Sequence, residues 1–260
     1  MLRVLQTERL TPHLHRLVLG GEGFAQLNRN EHSDSYVKLL LPAPGSDLEP
    51  PFDLDGLRES DPENLPVKRT YTVRRWDDEQ QTITIDVVLH DEEGTHGIAA
   101  PWAQSARPGD RLAMMGAGGG YTPDPSTGFH LLIGDLSAQP AIAASLEVME
   151  PSARGIALIQ VEDAADVPAM QHPDGVQLQW LVGPREKLLT ELEGLDLPPV
   201  PELQVFCHGE RGIVKQLRRE LVKNREIPKD QISISAYWAL GRIEDQFQAE
   251  KREPIGRIED

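Results

Sequence analysis

The sequence predicts an antiparallel β domain followed by an α/β domain built on a parallel sheet. Three observations predict it. The first half consists of short strand-like segments bounded by Pro, Gly and Asp, a glycine cluster (GAGGGY, Gly116 to Tyr121) closes that half, and from His130 short apolar strands alternate with helical segments. The change of rhythm places the boundary near Pro123 to Gly128, giving domains 1–125 and 126–245 and a polar tail, 246–260.

In the first half the strand candidates are Leu14 to Leu19, Tyr36 to Leu41, Arg69 to Arg74 and Thr82 to Leu89. The last is the clearest: Ile83, Ile85, Val87 and Leu89 fall on one face, and Thr82, Thr84, Asp86 and His90 on the other. Pro42 to Pro66, crowded with Pro, Asp and Glu, reads as a surface loop. GTHGIAAPWAQSARPGD then gives a glycine turn, a short helix with Pro101 near its start, and a Pro108–Gly109 turn into a strand around Leu112.

In the second half HLLIG is a strand, Ser137 caps a helix running to about Met149, and GIALIQV and VQLQWLV are strands. A helix from about Glu186, the strand LQVFC, a helix from about Ile213 to Asn224 and the strand ISISAYW complete the pattern. Such alternation implies a parallel sheet covered on both faces. From Gly241 the chain is polar and ends in a second GRIED, read as coincidence.

Bulk properties narrow the function classes. The 260 residues suffice for two ordinary domains, and 39% hydrophobic with 26% charged residues is a globular balance. No charged start precedes an apolar signal core and no apolar run approaches the roughly 20 residues a bilayer crossing needs, so the expected address is the cytosol, with no membrane insertion. A formal charge of −16 argues against general nucleic-acid binding. The basic groups Lys68, Arg69, Arg74, Arg75 and Lys215, Arg218, Arg219 read as solvated faces. The lone Cys207 excludes an intramolecular disulfide and a cysteine-held zinc or iron–sulfur site, so redox chemistry needs a bound cofactor. His96 reads as a loop residue, Cys207 as a buried strand residue, and no spacing implies a metal site.

Two segments carry chemistry. In RTYTVR, Arg69 and Tyr71 project to one side of a strand, able to set a guanidinium beside a phosphate and a phenol ring against a flat ligand, while Thr72 offers a hydroxyl. By spacing alone these are edge charges flanking a buried aromatic. The small residues Gly97, Ile98, Ala99 and Ala100 at a helix start let backbone amides approach a diphosphate, although small residues also begin ordinary helices.

RTYTVR, DVVLH, GIAAPWAQSARPGD and the glycine-ended strand at Gly116, in that order, resemble the siderophore-interacting protein family, a branch of the ferredoxin reductase superfamily. GDLSAQPAI at Gly134 to Ile142 is similar to that family's Gly-Asp-x-Thr-Ala-x-Pro-Ala-Ile segment, with Ser137 in the Thr place, and GERGIVKQLRREL and AYWALGRIED resemble its late helix and Tyr-Trp terminus. The resemblance runs from about Leu14 to Asp245.

It implies an FAD-binding β-barrel followed by an α/β NAD(P)H-binding domain. Arg69, Tyr71 and Thr72 would meet the flavin and its phosphates, Asp86, Val88 and His90 would line it, and Gly97, Ala99 and Ala100 would hold the pyrophosphate. Asp135, Ser137, Ala138, Tyr237 and Trp238 would frame the entry of NADPH or NADH. Lys38, in YVKLLLP, would face the substrate, an often anionic ferric siderophore, and Lys251 and Arg252 could fold over the pocket. A hydride would pass to the flavin and electrons singly to Fe(III), releasing Fe(II), with no general acid or nucleophile required.

Some features depart from the family. Ile98 replaces its usual Pro, Ala100 its frequent Ser, and Gly118 an arginine that some relatives turn toward substrate. The G-x-G-x-x-G fingerprint is missing, leaving NADH, NADPH and ferredoxin open as donors. A monomer is expected. The rival readings are another flavin or ferredoxin reductase of the superfamily and a non-catalytic ferric-siderophore-binding module.

Overall fold

Six strands of the N-terminal half close into an antiparallel barrel in the order β1-β2-β5-β4-β3-β6. They are β1 (Leu2–Thr11), β2 (Leu14–Gly20), β3 (Tyr36–Leu41), β4 (Val67–Asp77), β5 (Thr82–Val88) and β6 (Arg111–Gly118). The computed structural model describes residues 1–89 and 97–258 and divides into two units, Met1–Gly119 and Gly120–Asp260. His90 and His96 lie outside the described residues.

Alternation fills the barrel: Leu17, Leu19, Val37, Leu39, Ile83 and Ile85 are each at most 1% exposed in one cluster. Each such side chain stabilises the fold by roughly 1.5–3 kcal/mol relative to leaving it in water. β1 escapes the alternation rule. Leu2 and Val4 are buried, but a register shift between Val4 and Gln6 interrupts the alternation and leaves Leu5 and Gln6 both exposed.

The expected loop from Pro42 to Pro66 contains a helix, α1 (Leu54–Ser60). It buries no residue, so no apolar period marks it, and its start is fixed by Asp53, which accepts from the Gly56 amide at 3.0 Å. The short helix around Pro101 forms as α2 (Ala99–Ser105) and buries Ala99 and Ala103 in the barrel core.

The second unit is a five-stranded parallel sheet in the order β11-β10-β7-β8-β9. Its strands are β7 (Phe129–Asp135), β8 (Gly155–Val161), β9 (Val176–Val182), β10 (Leu203–Glu210) and β11 (Ile232–Trp238). The helices are α3 (Gln139–Val148), α4 (Lys187–Gly194), α5 (Arg211–Arg219), which runs on into a π-helical turn over Glu220–Asn224, and α6 (Glu244–Glu250). Both sheet faces are covered. Leu131 and Ile133 pack with Leu188, Leu192, Ile213 and Leu217 on one side, and Leu132 packs with Ala138, Ile142 and Leu146 on the other. Cys207 is wholly buried in β10.

The start of α3 differs from the sequence expectation. Ala138 is its N-cap, and Ser137 does not cap it. The Ser137 hydroxyl and amide donate instead to Asp135 Oδ1 at 2.5 and 2.9 Å, a local turn that directs the hydroxyl to the carboxylate two residues upstream. The polar tail also differs: α6 lies within it and seats Phe247, 1% exposed, against Ala236 and Ala239.

Candidate functional site

In the first unit the site is built on β4. Residues directly opposite across a ladder share a face. Tyr71 pairs with Val37 and Arg69 with Leu39, so both project to one face, as their spacing predicts. Thr72 pairs with Tyr36 and Thr70 with Lys38, placing Thr72 and Lys38 on the opposite face. Arg69 is 7% exposed and donates from Nη1 to the Lys68 carbonyl at 2.8 Å. Thr72 is buried, Tyr71 half-buried and Lys38 exposed.

A break in the sheet reconciles the two faces. The β4–β5 ladder runs only from Asp77↔Thr82 to Val73↔Ile85, so beyond it β4 residues 69–72 and the end of β5 separate. Among the described residues, no strand pairs with 69–72 on that side. A flat ligand seated in the split reaches the backbone edge together with side chains of both faces. Val88, half-buried, ends β5 at this split. α2 packs against β5 and β2, and Ile98, Ala99 and Ala100 join the barrel cluster that also holds Tyr71 and Leu89. No side chain caps α2, and Gly97 has open space where a Cβ would stand.

Asp86 behaves differently from its neighbours. Its carboxylate has no solvent exposure and is forked by Arg16, Nε to Oδ1 and Nη2 to Oδ2, each at 2.7 Å. Its acceptor capacity on these edges is taken by β2, and Arg16 stands in no motif that would single it out. At Gly118, a Cβ would lie 2.7 Å from Tyr36 Cε1, so the missing side chain is what lets the Tyr36 ring lie over β6.

These groups fit a flavin dinucleotide: a guanidinium for phosphate, an aromatic ring, a strand edge where the β4–β5 ladder ends, and hydroxyls for ring heteroatoms. Beside them Ser35 Oγ is buried without a hydrogen-bond partner, while the Ser35 carbonyl accepts from the Val73 amide at 2.7 Å.

In the second unit Asp135 ends β7 and gathers donors from three strands' worth of sequence. Oδ2 accepts from the Glu210 amide at 2.8 Å and from Trp238 Nε1 at 2.9 Å, and Oδ1 holds Ser137. Gly209 and Gly134 permit this closeness. At Gly209, with φ +150°, a Cβ would meet Asp135 Oδ2 at 2.7 Å, and at Gly134 one would meet Ala138 Cβ at 2.6 Å. Asp135, Ser137, Ala138 and Trp238 are therefore brought together by β7, β10 and β11. Tyr237 stands beside them, its ring 4.9 Å from His208, which stacks on Phe206 at 4.0 Å. At the start of α3, Gln139 Oε1 is buried with no partner, an acceptor that suits a ligand amide or hydroxyl.

A cleft of about 510 Å³ opens at the carboxyl ends of these strands, lined by Glu162, Arg185, Glu186, Glu210 and Leu240 among others. Arg185 lies 3.8 Å from Glu210, 3.9 Å from Glu162 and 5.3 Å from the centre of the Trp238 ring. Glu162 and Arg185 carry no local motif, and only strand order brings them together. Lys251 lies over the Phe247 ring at 4.6 Å and Arg252 is exposed nearby in the tail. Arg211 and Arg242 both reach Glu250 at 2.5 Å, securing α6.

Comparisons with known proteins agree with this layout. Residues 3–121 match the profile of the siderophore-interacting FAD-binding domain, and residues 128–241 that of the siderophore-interacting protein. The chain is 32% identical to the ferric vibriobactin reductase ViuB of Vibrio cholerae over 263 residues, 96% of this chain and 93% of that one. It is 29% identical to the NADPH-dependent ferric-chelate reductase of Escherichia coli, over 91% of each chain. The crystal structure of the siderophore-interacting protein SipS from Aeromonas hydrophila superposes with a TM-score of 0.80 at 29% identity, covering 98% and 97% of the two chains. The ferredoxin reductase of carbazole 1,9a-dioxygenase shares the fold alone, with a TM-score of 0.67 at 17% identity over 91% of this chain and 68% of that one.

Proposed function

Since this chain belongs to the siderophore-interacting protein family, with an FAD-binding barrel and a ferredoxin-reductase-like fold, we propose that it is a reductase of ferric siderophores, taking electrons from NADPH, NADH or ferredoxin and releasing Fe(II). The observation that carries this reading is the end of the β4–β5 ladder at Val73↔Ile85, where β4 and β5 part at the segment that holds Arg69, Tyr71 and Thr72.

Bound there, the flavin supplies conversion between two-electron donors and one-electron acceptors. Arg69 neutralises the phosphates, Tyr71 lies against the ring system, and Thr72 donates or accepts at a ring heteroatom from the other face of β4. Val88 closes the far wall, and the Gly97, Ala99 and Ala100 amides meet the pyrophosphate. Asp86 acts through Arg16, holding β5 to β2 rather than reaching the ligand. Asp135, Ser137, Ala138, Tyr237 and Trp238 shape the edge where a nicotinamide enters. Lys38, exposed on β3, attracts an anionic ferric chelate. Oxygen donors hold Fe(III) far more tightly than Fe(II), so electron transfer releases the metal.

The test is a visible spectrum of the purified protein, followed by anaerobic reduction and trapping of ferrous iron with a colorimetric chelator. A flavin spectrum and iron release on reduction are expected. A preparation that stays colourless with excess FAD overturns the flavin site, and chelate binding without iron reduction by the chemically reduced protein favours a sequestering module. Lys38→Ala is expected to raise the KM for an anionic ferric chelate by about threefold to tenfold, the effect of one surface cation on an anionic ligand, with flavin content unchanged. An unaltered KM removes Lys38 from the substrate site.

A further inference from the structure

At the β11 edge of the parallel sheet the packing leaves a space. α5 lies over β10 and β11, and β11 is the outermost strand on this side. Ile232 and Ile234 pack into the cluster that holds Leu217 and Leu221, yet both remain half-buried. A cavity of about 200 Å³ lies beside them, lined among the described residues by Arg218, Val222, Lys229, Ile232, Ile234 and Ile258. The tail that brings Ile258 here is tied to α5 by Lys215, whose Nζ donates to the Ile255 carbonyl at 2.8 Å.

Arg218 is the anomaly in this lining. The sequence reads it as part of a solvated face, and the structure corrects that: the residue is 6% exposed. Arginines often bury the stem and keep the head in water, but here the head is enclosed as well. Among the described residues its side chain makes no hydrogen bond or ion pair. The acid nearest in sequence, Glu220, is engaged elsewhere, Oε1 accepting from Arg225 Nε at 3.0 Å and Oε2 from Asn224 Nδ2 at 2.6 Å. A guanidinium withdrawn from water without a counter-charge is costly. Lys229 brings a second, exposed cation to the rim, and no described lining residue is acidic, in a chain of formal charge −16.

We propose that this cavity binds a small carboxylate carrying a compact apolar body, the head on Arg218 and Lys229 and the body against Val222, Ile232, Ile234 and Ile258. The guanidinium fork matches the two oxygens of a carboxylate. Phosphate or sulfate, which needs donors on every side, does not suit a wall of four aliphatic side chains. The volume lies below the roughly 300–1,000 Å³ of pockets for drug-sized ligands, which limits the guest to an acid the size of octanoate or benzoate. Ile232 and Ile234 begin β11 whereas Trp238 ends it, so this site stands apart from the carboxyl edge of the sheet and is independent of the flavin and of the electron donor.

The test is calorimetric titration of the full-length, FAD-loaded protein with octanoate and benzoate, with acetate and octanol as controls that keep only the charge or only the apolar body. One saturable site per chain is expected for at least one of the two acids, with both controls at least about tenfold weaker, the effect of removing one enclosed charge partner. The better of the two acids identifies an aliphatic or an aromatic guest. Arg218→Met should weaken the acid by at least about tenfold while leaving the urea midpoint of the unliganded protein equal or higher, because it removes an enclosed charge and keeps the stem. Val222→Phe, which keeps both cations and fills the space, should abolish binding. Absence of saturable binding, octanol binding as well as the acids, or affinity unchanged in both variants would each overturn the proposal. So would binding that emerges only in a chain shortened after Ile258, since the chain's own terminal carboxylates would then be the occupant.

Discussion

Single residues set the extremes of stability here. The Arg16–Asp86 pair joins β2 to β5 with the carboxylate fully out of solvent. Arg16→Ala leaves a buried charge uncompensated and is expected to cost about 3–5 kcal/mol, whereas breaking the exposed Arg29–Asp78 pair should cost less than about 1 kcal/mol. Urea midpoints of the two variants check the contrast. His208 gives a pH dependence of definite sign. Burial drives its pKa from 6.5 to about 3, against the raising effect of its hydrogen bond with Ser233. The unfolded imidazole takes its proton below about 6.5 while the folded one refuses it until about 3, so stability is lost as the pH falls through that window, by up to about 1.4 kcal/mol per pH unit. His208→Phe keeps a ring against Phe206 and should flatten urea midpoints measured between pH 6.5 and pH 4.

At the level of elements, a strand or helix was legible in the sequence where burial followed its period. β5 shows this: Ile83, Ile85 and Val87 alternate and are all buried. β1 was obscured by its bulge, α1 by burying nothing, and α6 because a single Phe247 in a polar segment makes no pattern. The site divides in the same way. RTYTVR could be selected from its local residue types, but the Asp135–Trp238 bond spans 103 positions and the Glu162–Arg185 contact exists only through the order of strands. α6 itself yields a test. Hydrogen bonds from Arg211 and then Arg242 hold the Glu250 carboxyl below its ordinary 4.5. A depressed carboxylate contributes to docking above that value and loses its contribution as the pH drops through its folded pKa. Proteolytic cleavage of the tail by an acid-active protease should therefore accelerate below pH 4.5, and Glu250→Gln should cleave at the faster rate already above pH 4.5.

For the molecule as a whole, the barrel supplies a split for one ligand and the parallel sheet an edge for another, each assembled inside its own unit. The sole thiol lies apart from both, wholly buried in β10, with its pKa pushed up by burial and then by the charge of Asp135. A thiol that cannot ionise does not react with peroxide or disulfides. A disulfide dye should label no sulfhydryl in the native protein and one per chain in guanidinium, and labelling without denaturant would contradict this placement of β10. A catalyst of the kind proposed, which sets ferrous ions free, works in the presence of the hydroxyl radicals that they generate from peroxide. With its one sulfhydryl sealed in the middle of a sheet, the folded chain offers no thiol through which damaged copies could be stitched together by disulfides.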